Sequence, residues 1–209
     1  MYTLYYSPGS CSMAIHIMLN ECGQPVKLEK VDLAGARSPE FLKLNPRGAV
    51  PVLVDDGMPI REGAAQIIHI LEKHESPLLP ASEPARTKAL QALMFCNATL
   101  HPAYARIFFL KRNGPDDATK KALMDVAIKM VNKMWGEVEE HLAAHGPYFC
   151  GKDVTAADIL VSVIANWNKN VPGEITFGPK TKELFKAISA RPAFKKALET
   201  ETVEYRAAA

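Results

Sequence analysis

The chain has 209 residues, of which 48% are hydrophobic and 23% are charged, and these proportions are typical of a soluble globular protein with a substantial core. Its 25 Lys and Arg residues and 23 Asp and Glu residues are spread along the sequence without a basic block, which argues against nucleic acid as a partner. No apolar run approaches the roughly 20 residues that cross a bilayer, and the first residues do not resemble a leader peptide, so we expect a cytoplasmic protein with no membrane partner.

The first third of the chain alternates between strand and helix patterns. In order, they are a strand (2–6), a helix (11–22), a strand (26–31), a short helix (39–44), a hairpin (50–54 and 59–61) and a helix that follows residue 62. This order calls for a mixed sheet covered by helices. A thioredoxin-like α/β domain over residues 1–75 fits it.

The segment 76–84 reads as a linker because it contains three prolines and no helical period. Beyond it, long helical patterns cover about 84–113 and 115–144, and no strand pattern is convincing. Thr155 and Asp158 have the spacing of a capping box, and Arg191-Pro192 separates two shorter helices near the end. We therefore predict an all-α helical bundle over residues 85–209.

The four cysteines lie at positions 11, 22, 96 and 150, a spacing that matches neither a secreted disulfide framework nor paired zinc ligands. We expect free thiols. Glu137, His141 and His145 share one helix face, as metal ligands do, but an exposed helix face is the better interpretation, and we expect no metal.

Cys11 lies where the first strand's turn opens into the first helix. Free backbone N–H groups and the helix dipole stabilise a thiolate there, so the position suits a reactive thiol, although a small buried side chain is the alternative. Hydroxyl groups that could donate to a bound thiolate surround it, at Tyr5, Tyr6, Ser7, Ser10 and Ser12. Strand alternation sends Tyr5 and Tyr6 to opposite faces, so at most one of them points at a site.

Two further segments could bind a peptide-like ligand. Val50-Pro51 lies between a loop and a strand, where a cis bond would leave the Val50 backbone free to pair with a ligand, and an ordinary trans proline is the alternative. Glu62-Gly63 precedes a helix, where Glu62 can pair with an ammonium group and the first N–H groups can receive a carboxylate.

On the first long helix of the second domain, polar groups interrupt an apolar stripe, which is typical of a cleft wall. The members at helical spacing are Leu90, Met94, Asn97, His101, Tyr104 and Phe108. His101 could donate to a thiolate or position a substrate, or be a hydrogen-bonded core histidine. Pro102 should kink the helix.

Taken together, these residues resemble the cytosolic glutathione transferases, most closely the bacterial beta class. The similarity covers the whole chain and depends on segment 4–12 (LYYSPGSCS), segment 45–53 (NPRGAVPVL), Glu62-Gly63 and the capping box at Thr155 and Asp158. The first two are specific in combination. The resemblance implies the glutathione transferase fold, glutathione as co-substrate and a homodimer.

The resemblance also implies roles for individual residues. Cys11 matches a cysteine that contacts the glutathione sulfur and can form a mixed disulfide with it, and Val50 matches the residue whose backbone pairs with the cysteinyl part, ahead of a cis proline at Pro51. Glu62 and Gly63 match the pair that holds the γ-glutamyl end, and His101 matches a cleft histidine.

The sequence departs from the beta-class pattern at two places. Met94 and Pro102 stand where beta-class chains tend to have an asparagine and a lysine, which removes polar contacts from the helical domain. The loop after Leu33 is shortened, which leaves Arg37 as the candidate to meet the glycyl carboxylate.

The resulting prediction is a glutathione transferase that conjugates the glutathione thiolate to small, largely apolar electrophiles. Cys11, Tyr6, Ser12 and His101 are its candidate catalytic groups, and Asn97, Tyr104, Phe108 and Trp167 its candidate second-substrate pocket. Two alternatives remain. Cys11 could run glutathione-dependent thiol–disulfide exchange, though not a dithiol cycle because Ala14 stands three residues on, or the fold could be an interaction module with little activity.

Overall fold

The computed structural model describes residues 1–113 and 116–208. Its four strands, β1 (Tyr2–Tyr6), β2 (Val26–Lys30), β3 (Val52–Asp55) and β4 (Met58–Ile60), form one sheet in the order β2-β1-β3-β4. β2 pairs parallel to β1, and the β1–β3 and β3–β4 pairs are antiparallel. Leu4 faces Leu28 on one side and Leu53 on the other, which fixes the register at the centre of the sheet.

The predicted hairpin is confirmed. β3 and β4 are joined by Asp56 and Gly57, both at positive φ (47° and 87°), which is the geometry that favours Asp-Gly in two-residue hairpin turns.

Three helices cover the sheet: α1 (Ser12–Glu21), α2 (Pro39–Leu44) and α3 (Gly63–Lys73). Every residue of α1 from Ser12 to Leu19 is buried, because α1 packs on β1 and α3 and also on helices of the second half. In α2 the hydroxyl of Ser38 caps the first turn by accepting the N–H of Phe41. These elements confirm the predicted mixed α/β fold.

The second half begins with α4 (Ala85–Met94), a π-helical turn (Phe95–Leu100) and α5 (His101–Asn113). We predicted one helix over about 84–113 with a kink at Pro102, and the helical stretch runs from Ala85 to Asn113 with its irregular turn directly before the proline. Pro102 has no N–H to give to the carbonyl one turn earlier, and a π turn accommodates such a break. Turns of this kind are frequent at functional sites, and this one carries Asn97.

The remaining helices are α6 (Asp117–His145), α7 (Ala156–Ala165), α8 (Pro179–Ser189) and α9 (Pro192–Glu201), with a 3₁₀ turn (Asn166–Asn170) after α7. The predicted start of the second long helix, residue 115, lies outside the described residues. The capping box is confirmed: Asp158 accepts hydrogen bonds from both the N–H and the hydroxyl of Thr155, at 2.7 and 2.9 Å. The predicted break at Arg191-Pro192 separates α8 from α9.

One apolar core runs through both halves, from β1 to α9. The predicted linker 76–84 lies between α3 and α4 and joins this core, because Leu78 and Leu79 are buried and the Leu78 carbonyl accepts the N–H of Ala156 at 2.9 Å. The thioredoxin-like part and the all-helical part are therefore packed as one body. Within the described residues, no helix is both long enough and apolar enough to cross a bilayer.

Candidate functional site

A cleft lies between the sheet-containing half and the helix α5, and it has two adjoining cavities. The first, which we call the large cavity, has a volume of about 370 Å³. The sheet-containing half contributes Cys11, Arg47, Val50, Pro51, Glu62 and Gly63, and the helical half contributes Asn97, His101 and Ala105. The structure thus brings together the sequence-predicted residues Cys11, Val50, Pro51, Glu62, Gly63, Asn97 and His101.

The second, which we call the small cavity, has a volume of about 280 Å³. It shares Cys11, His101 and Ala105 with the large cavity and continues along Phe108 and Trp167. Cys11 and His101 therefore stand at the junction, where a group held in one cavity meets a group held in the other.

Cys11 is the residue before α1 and is half-buried. Its Sγ–H donates to the carbonyl oxygen of Val50 at 3.7 Å. Burial raises the pKa of the Cys11 thiol to about 11, against the opposing effects of the backbone N–H groups of Cys11 and Ser12. The expectation that the helix start lowers this pKa is therefore corrected, since removal from water outweighs it. At neutral pH Cys11 is a neutral thiol.

The candidate hydroxyls Tyr6 and Ser12 do not line either cavity. Ser12 is fully buried, and its Oγ bonds Ser10 Oγ at 2.7 Å and the Ser7 carbonyl at 3.2 Å, so it shapes the loop. Tyr6 lies on the buried face of β1, where burial and the nearby Glu201 raise its phenol pKa. Tyr5 points to the opposite face and packs on Phe41, with ring centroids 5.4 Å apart.

The Val50–Pro51 peptide bond is cis, as the sequence suggested. Gln66, a fully buried residue of α3, donates from its amide to the carbonyls of Pro51 (3.0 Å) and Ile60 (2.9 Å). These bonds fix the edge of the cleft to α3. Sequence reasoning missed Gln66, because nothing near it in the chain marks its partners.

Glu62 precedes α3 with φ +69°, a conformation that non-glycine residues rarely adopt and that is found disproportionately at ligand sites. Its exposed carboxylate pairs with Arg47. Gly63 faces the helical half, since a β-carbon there would lie 3.5 Å from Asn97 Oδ1. Asn97, which we predicted in the second-substrate pocket, therefore belongs to the large cavity.

Arg37 does not reach the cleft. Its guanidinium donates to the backbone carbonyls of Gly48, Asp32, Gly35 and Leu33, so its hydrogen bonds close the loop between β2 and α2. The cations that line the large cavity are Arg47 and Arg61. Arg47 was within reach of sequence reasoning, because it sits inside the segment NPRGAVPVL that carried the resemblance.

His101 begins α5 and presents its ring to Trp167, with centroids 5.0 Å apart and an interplanar angle of 63°. Burial lowers its pKa from the ordinary value of 6.5, so it is neutral at pH 7. Ala105 and Phe108 follow it on the same face of α5 and line the small cavity.

Tyr104, also predicted in the second-substrate pocket, is instead fully buried behind it. Its hydroxyl donates to Asn168 and accepts the indole N–H of Trp135 at 2.8 Å, and burial raises its pKa. Its ring contacts Trp167 edge to face at 5.9 Å. Tyr104 therefore supports the wall of the small cavity, whereas Phe108 and Trp167 form its surface.

The loop before Cys11 is held by the helical half. The N–H of Gly9 donates to Glu201 Oε2 at 2.9 Å, and the carbonyl of Gly9 accepts the indole N–H of Trp167 at 2.8 Å. The other oxygen of Glu201 bonds His16 Nδ1 at 3.0 Å, and both side chains are buried. Gly9 has φ +67°, which suits glycine at this turn.

The face that carries Glu137, His141 and His145 lines another cavity, of about 590 Å³, away from Cys11. The imidazoles of His141 and His145 stack, and each bonds a backbone carbonyl, of Phe149 (2.9 Å) and of His141 (3.2 Å) respectively. Among residues 1–113 and 116–208, no three side chains are placed to hold a metal ion. The four cysteines are free thiols, as expected.

Both halves of the chain match models of known protein families. Residues 9–74 match the family model described as "Glutathione S-transferase, N-terminal domain", and residues 100–201 match the one described as "Glutathione S-transferase, C-terminal domain". Together they cover most of the chain, including every cleft residue from Cys11 to Gly63 and the α5 residues.

Relatives and solved structures agree with these matches. A curated relative, glutathione S-transferase GST-4.5 of Xanthomonas campestris, is 32% identical over 78% of this chain and 81% of its own length. A glutathione S-transferase structure from Xylella fastidiosa superposes with a TM-score of 0.90 at 27% identity, over 98% of this chain and all of the other. A beta-class glutathione S-transferase of Sphingomonas chungbukensis gives 0.84 at 28% identity, over 97% of this chain and all of the other.

Proposed function

Since the chain belongs to the glutathione S-transferase family and is an enzyme that conjugates glutathione, we propose that the large cavity binds glutathione and the small cavity binds an apolar electrophile. The observation that carries the proposal is the junction of the two cavities at Cys11 and His101. A thiol held in the large cavity beside Cys11 faces the electrophile directly, and such proximity is a large part of catalysis.

The large cavity offers groups complementary to glutathione. The carboxylate of Glu62 pairs with the γ-glutamyl ammonium, and the first N–H groups of α3 receive the adjacent carboxylate. Arg47 and Arg61 replace Arg37 as the cations that can pair with a glutathione carboxylate, and Arg47 lies at the Glu62 end, because the two side chains form an ion pair. The backbone of Val50, beside Cys11, pairs with the cysteinyl part.

In the proposed mechanism Cys11 acts as a hydrogen-bond donor. With a pKa of about 11 it keeps its proton at neutral pH and can turn its S–H from the Val50 carbonyl to the glutathione sulfur. A donor aimed at the sulfur stabilises the thiolate and lowers the thiol pKa of glutathione. His101, also neutral, is the second group at the junction that can donate to the sulfur or to the departing group.

The same property disfavours the redox alternative. With a pKa of about 11, Cys11 is almost entirely protonated at pH 7, and the thiolate is the form that attacks a disulfide. The interaction-module alternative has no support from the cleft, because the residues that would hold glutathione are present and converge on it.

We further propose a cytoplasmic homodimer. Large apolar side chains are exposed on α5 and α6, with Phe109 60%, Val126 62% and Met130 45% exposed, and such a surface is typical of an association site. Free thiols suit a reducing compartment. Light scattering coupled to gel filtration would show a mass near twice 22.9 kDa if the dimer forms.

The test is conjugation of glutathione to a chloronitroaromatic electrophile by the wild type and by Cys11→Ala, with glutathione affinity from calorimetry. Because Cys11 acts by hydrogen bonding, Cys11→Ala should bind glutathione and retain activity at high pH while losing about tenfold at pH 7. Complete loss at every pH would contradict a role for Cys11 that is limited to hydrogen bonding. Failure of the wild type to bind glutathione would overturn the assignment of the large cavity.

A further inference from the structure

Gln66 is a polar residue of α3 that lies inside the protein. Its exposed fraction is 0%, although glutamine side chains mostly lie at the protein surface. It is not among the described residues that line the large or the small cavity. Any contribution of Gln66 to the cleft therefore passes through the groups that it bonds.

The side-chain amide of Gln66 links two strands at the edge of the cleft. Its NH₂ group donates to the carbonyl oxygens of Pro51 at 3.0 Å and of Ile60 at 2.9 Å. Pro51 directly precedes β3, and Ile60 is the last residue of β4. The β3–β4 pairing ends at Leu53 and Ile60, so the amide extends the connection between these strands past their last pair.

The backbone of Gln66 bonds a third segment. Its N–H donates to the carbonyl oxygen of Glu62 at 3.1 Å, which closes the first turn of α3. Glu62 has φ +69°, and a residue other than glycine keeps this conformation only where its surroundings hold it there. Gln66 is therefore bonded to the residue after Val50, to the end of β4 and to the residue before Gly63.

The bonded segments carry two of the contacts proposed for glutathione. The backbone of Val50 pairs with the cysteinyl part, and Glu62 with Gly63 receives the γ-glutamyl part. A ligand that engages both segments binds well only if their separation matches its own length, and a misplacement of about 1 Å can weaken such a fit strongly. Gln66 bonds both segments, so it is placed to fix their separation.

The orientation of the amide agrees with this role. The Oε1 atom of Gln66 is buried and has no hydrogen-bond partner among the described residues. Reversing the amide would turn this oxygen toward two carbonyl oxygens, which cannot donate, so the Pro51 and Ile60 carbonyls set the observed orientation. A buried acceptor without a donor is destabilising. The amide therefore connects the two strand ends while its own oxygen stays unpaired.

We propose that Gln66 is a positioning residue for glutathione, which holds the Val50–Pro51 peptide and the Glu62–Gly63 turn at the separation that glutathione spans. The inference depends on the proposed function, because it takes glutathione as the ligand of the large cavity. Gln66 does not touch the reacting atoms, so its removal should weaken glutathione binding and leave the reaction of bound glutathione nearly unchanged.

The experiment uses two variants that keep the length of the side chain. Gln66→Met removes both donated hydrogen bonds. Gln66→Glu keeps one, because a carboxyl group buried against two carbonyl oxygens retains its proton and donates it. Ile70→Ala is the control for stability, since Ile70 is fully buried on the same helix and contributes only apolar contacts from its side chain.

Three quantities are measured for each enzyme. Calorimetry gives the Kd for glutathione, conjugation to the chloronitroaromatic electrophile gives KM for glutathione and kcat at saturating glutathione, and urea unfolding gives the stability. A residue that acts only on stability changes the amount of active enzyme, and hence kcat, but not the KM of the enzyme that remains folded. The comparison of KM with kcat therefore separates positioning from a general loss of structure.

Kd and KM for glutathione should rise about tenfold in Gln66→Met and about threefold in Gln66→Glu, with kcat within about twofold of wild type. Ile70→Ala should lose stability and keep the wild-type KM. An unchanged KM in the Gln66 variants, an equal rise in Ile70→Ala, a loss confined to kcat, or failure of both Gln66 variants to fold would overturn this inference alone. Failure of the wild type to bind glutathione would overturn the proposed function as well.

Discussion

Replacing Glu201 should destabilise the protein more than its position near the end of the last helix suggests. Glu201 is buried, and its two carboxylate oxygens hold the N–H of Gly9 and the ring of His16, at 2.9 and 3.0 Å. In Glu201→Ala both partners lose their acceptor while the surrounding core stays closed to water.

The size of the effect follows from this geometry. Each buried polar group that loses its partner costs about 1–3 kcal/mol, so the loss of both contacts should cost about 2–6 kcal/mol. That is a large share of the roughly 5–15 kcal/mol by which proteins of this kind are stable. With a urea dependence of about 2–3 kcal/mol per molar, the unfolding midpoint should fall by about 1–3 M.

The assay is equilibrium unfolding in urea, followed by the fluorescence of Trp167 and Trp135. Glu199→Ala is the matched control, since Glu199 lies on the same helix but is exposed. A loss below 1 kcal/mol in Glu201→Ala, or an equal loss in the control, would refute the reasoning that this pair anchors the loop. A second readout is the KM for glutathione, which should rise because Gly9 lies two residues before Cys11.

Three further predictions follow from the same contacts. Tyr104→Phe should lower the free energy of unfolding by about 1–3 kcal/mol, seen as a lower melting temperature, because the buried N–H of Trp135 loses its acceptor; an unchanged melting temperature would contradict this. Arg47→Ala should weaken glutathione binding about tenfold in calorimetry, as expected for a charge-assisted contact, whereas Arg37→Ala should weaken it little. A larger loss of affinity in Arg37→Ala than in Arg47→Ala would instead indicate that Arg37 binds glutathione. The rate at which iodoacetamide alkylates Cys11 is the rate for the wild type minus the rate for Cys11→Ser. This rate should rise about tenfold per pH unit from pH 7 to 9 without a plateau, because the pKa of Cys11 is about 11. A plateau below pH 8 would contradict that pKa.

Elements of the fold could be predicted from the sequence wherever a local pattern determines a local structure. Asp56-Gly57 specifies its hairpin turn through backbone conformation, and Thr155 with Asp158 specifies a helix start through two short-range hydrogen bonds. The π-helical turn at Phe95–Leu100 could not be predicted, because the same residues continue a helical period, and that period does not show how the helix accommodates the N–H that Pro102 lacks.

The sequence was a better guide to the position of the candidate site than to its chemistry. The location of Cys11 before a helix is local, but its pKa depends on how deeply the cleft is buried, which no motif encodes. The bond from Gly9 to Glu201 joins residues 192 positions apart, and the sequence near either one gives no sign of the other. Tyr104 shows the same limit, since helical spacing predicts that it lies near the cleft wall but does not predict on which side of that wall it lies.

The burial of α1 has a consequence for how such a protein can change by recombination. Its residues from Ser12 to Leu19 are enclosed by the sheet on one side and by α7 and α9 on the other. A crossover in segment 76–84 that joined this sheet half to a foreign helical half would have to match that second face side chain by side chain, or leave Ile15, Leu19 and their neighbours against water. The two halves are therefore inherited most readily as a single unit, and chimaeras between distant relatives should be insoluble more often than those that exchange surface loops.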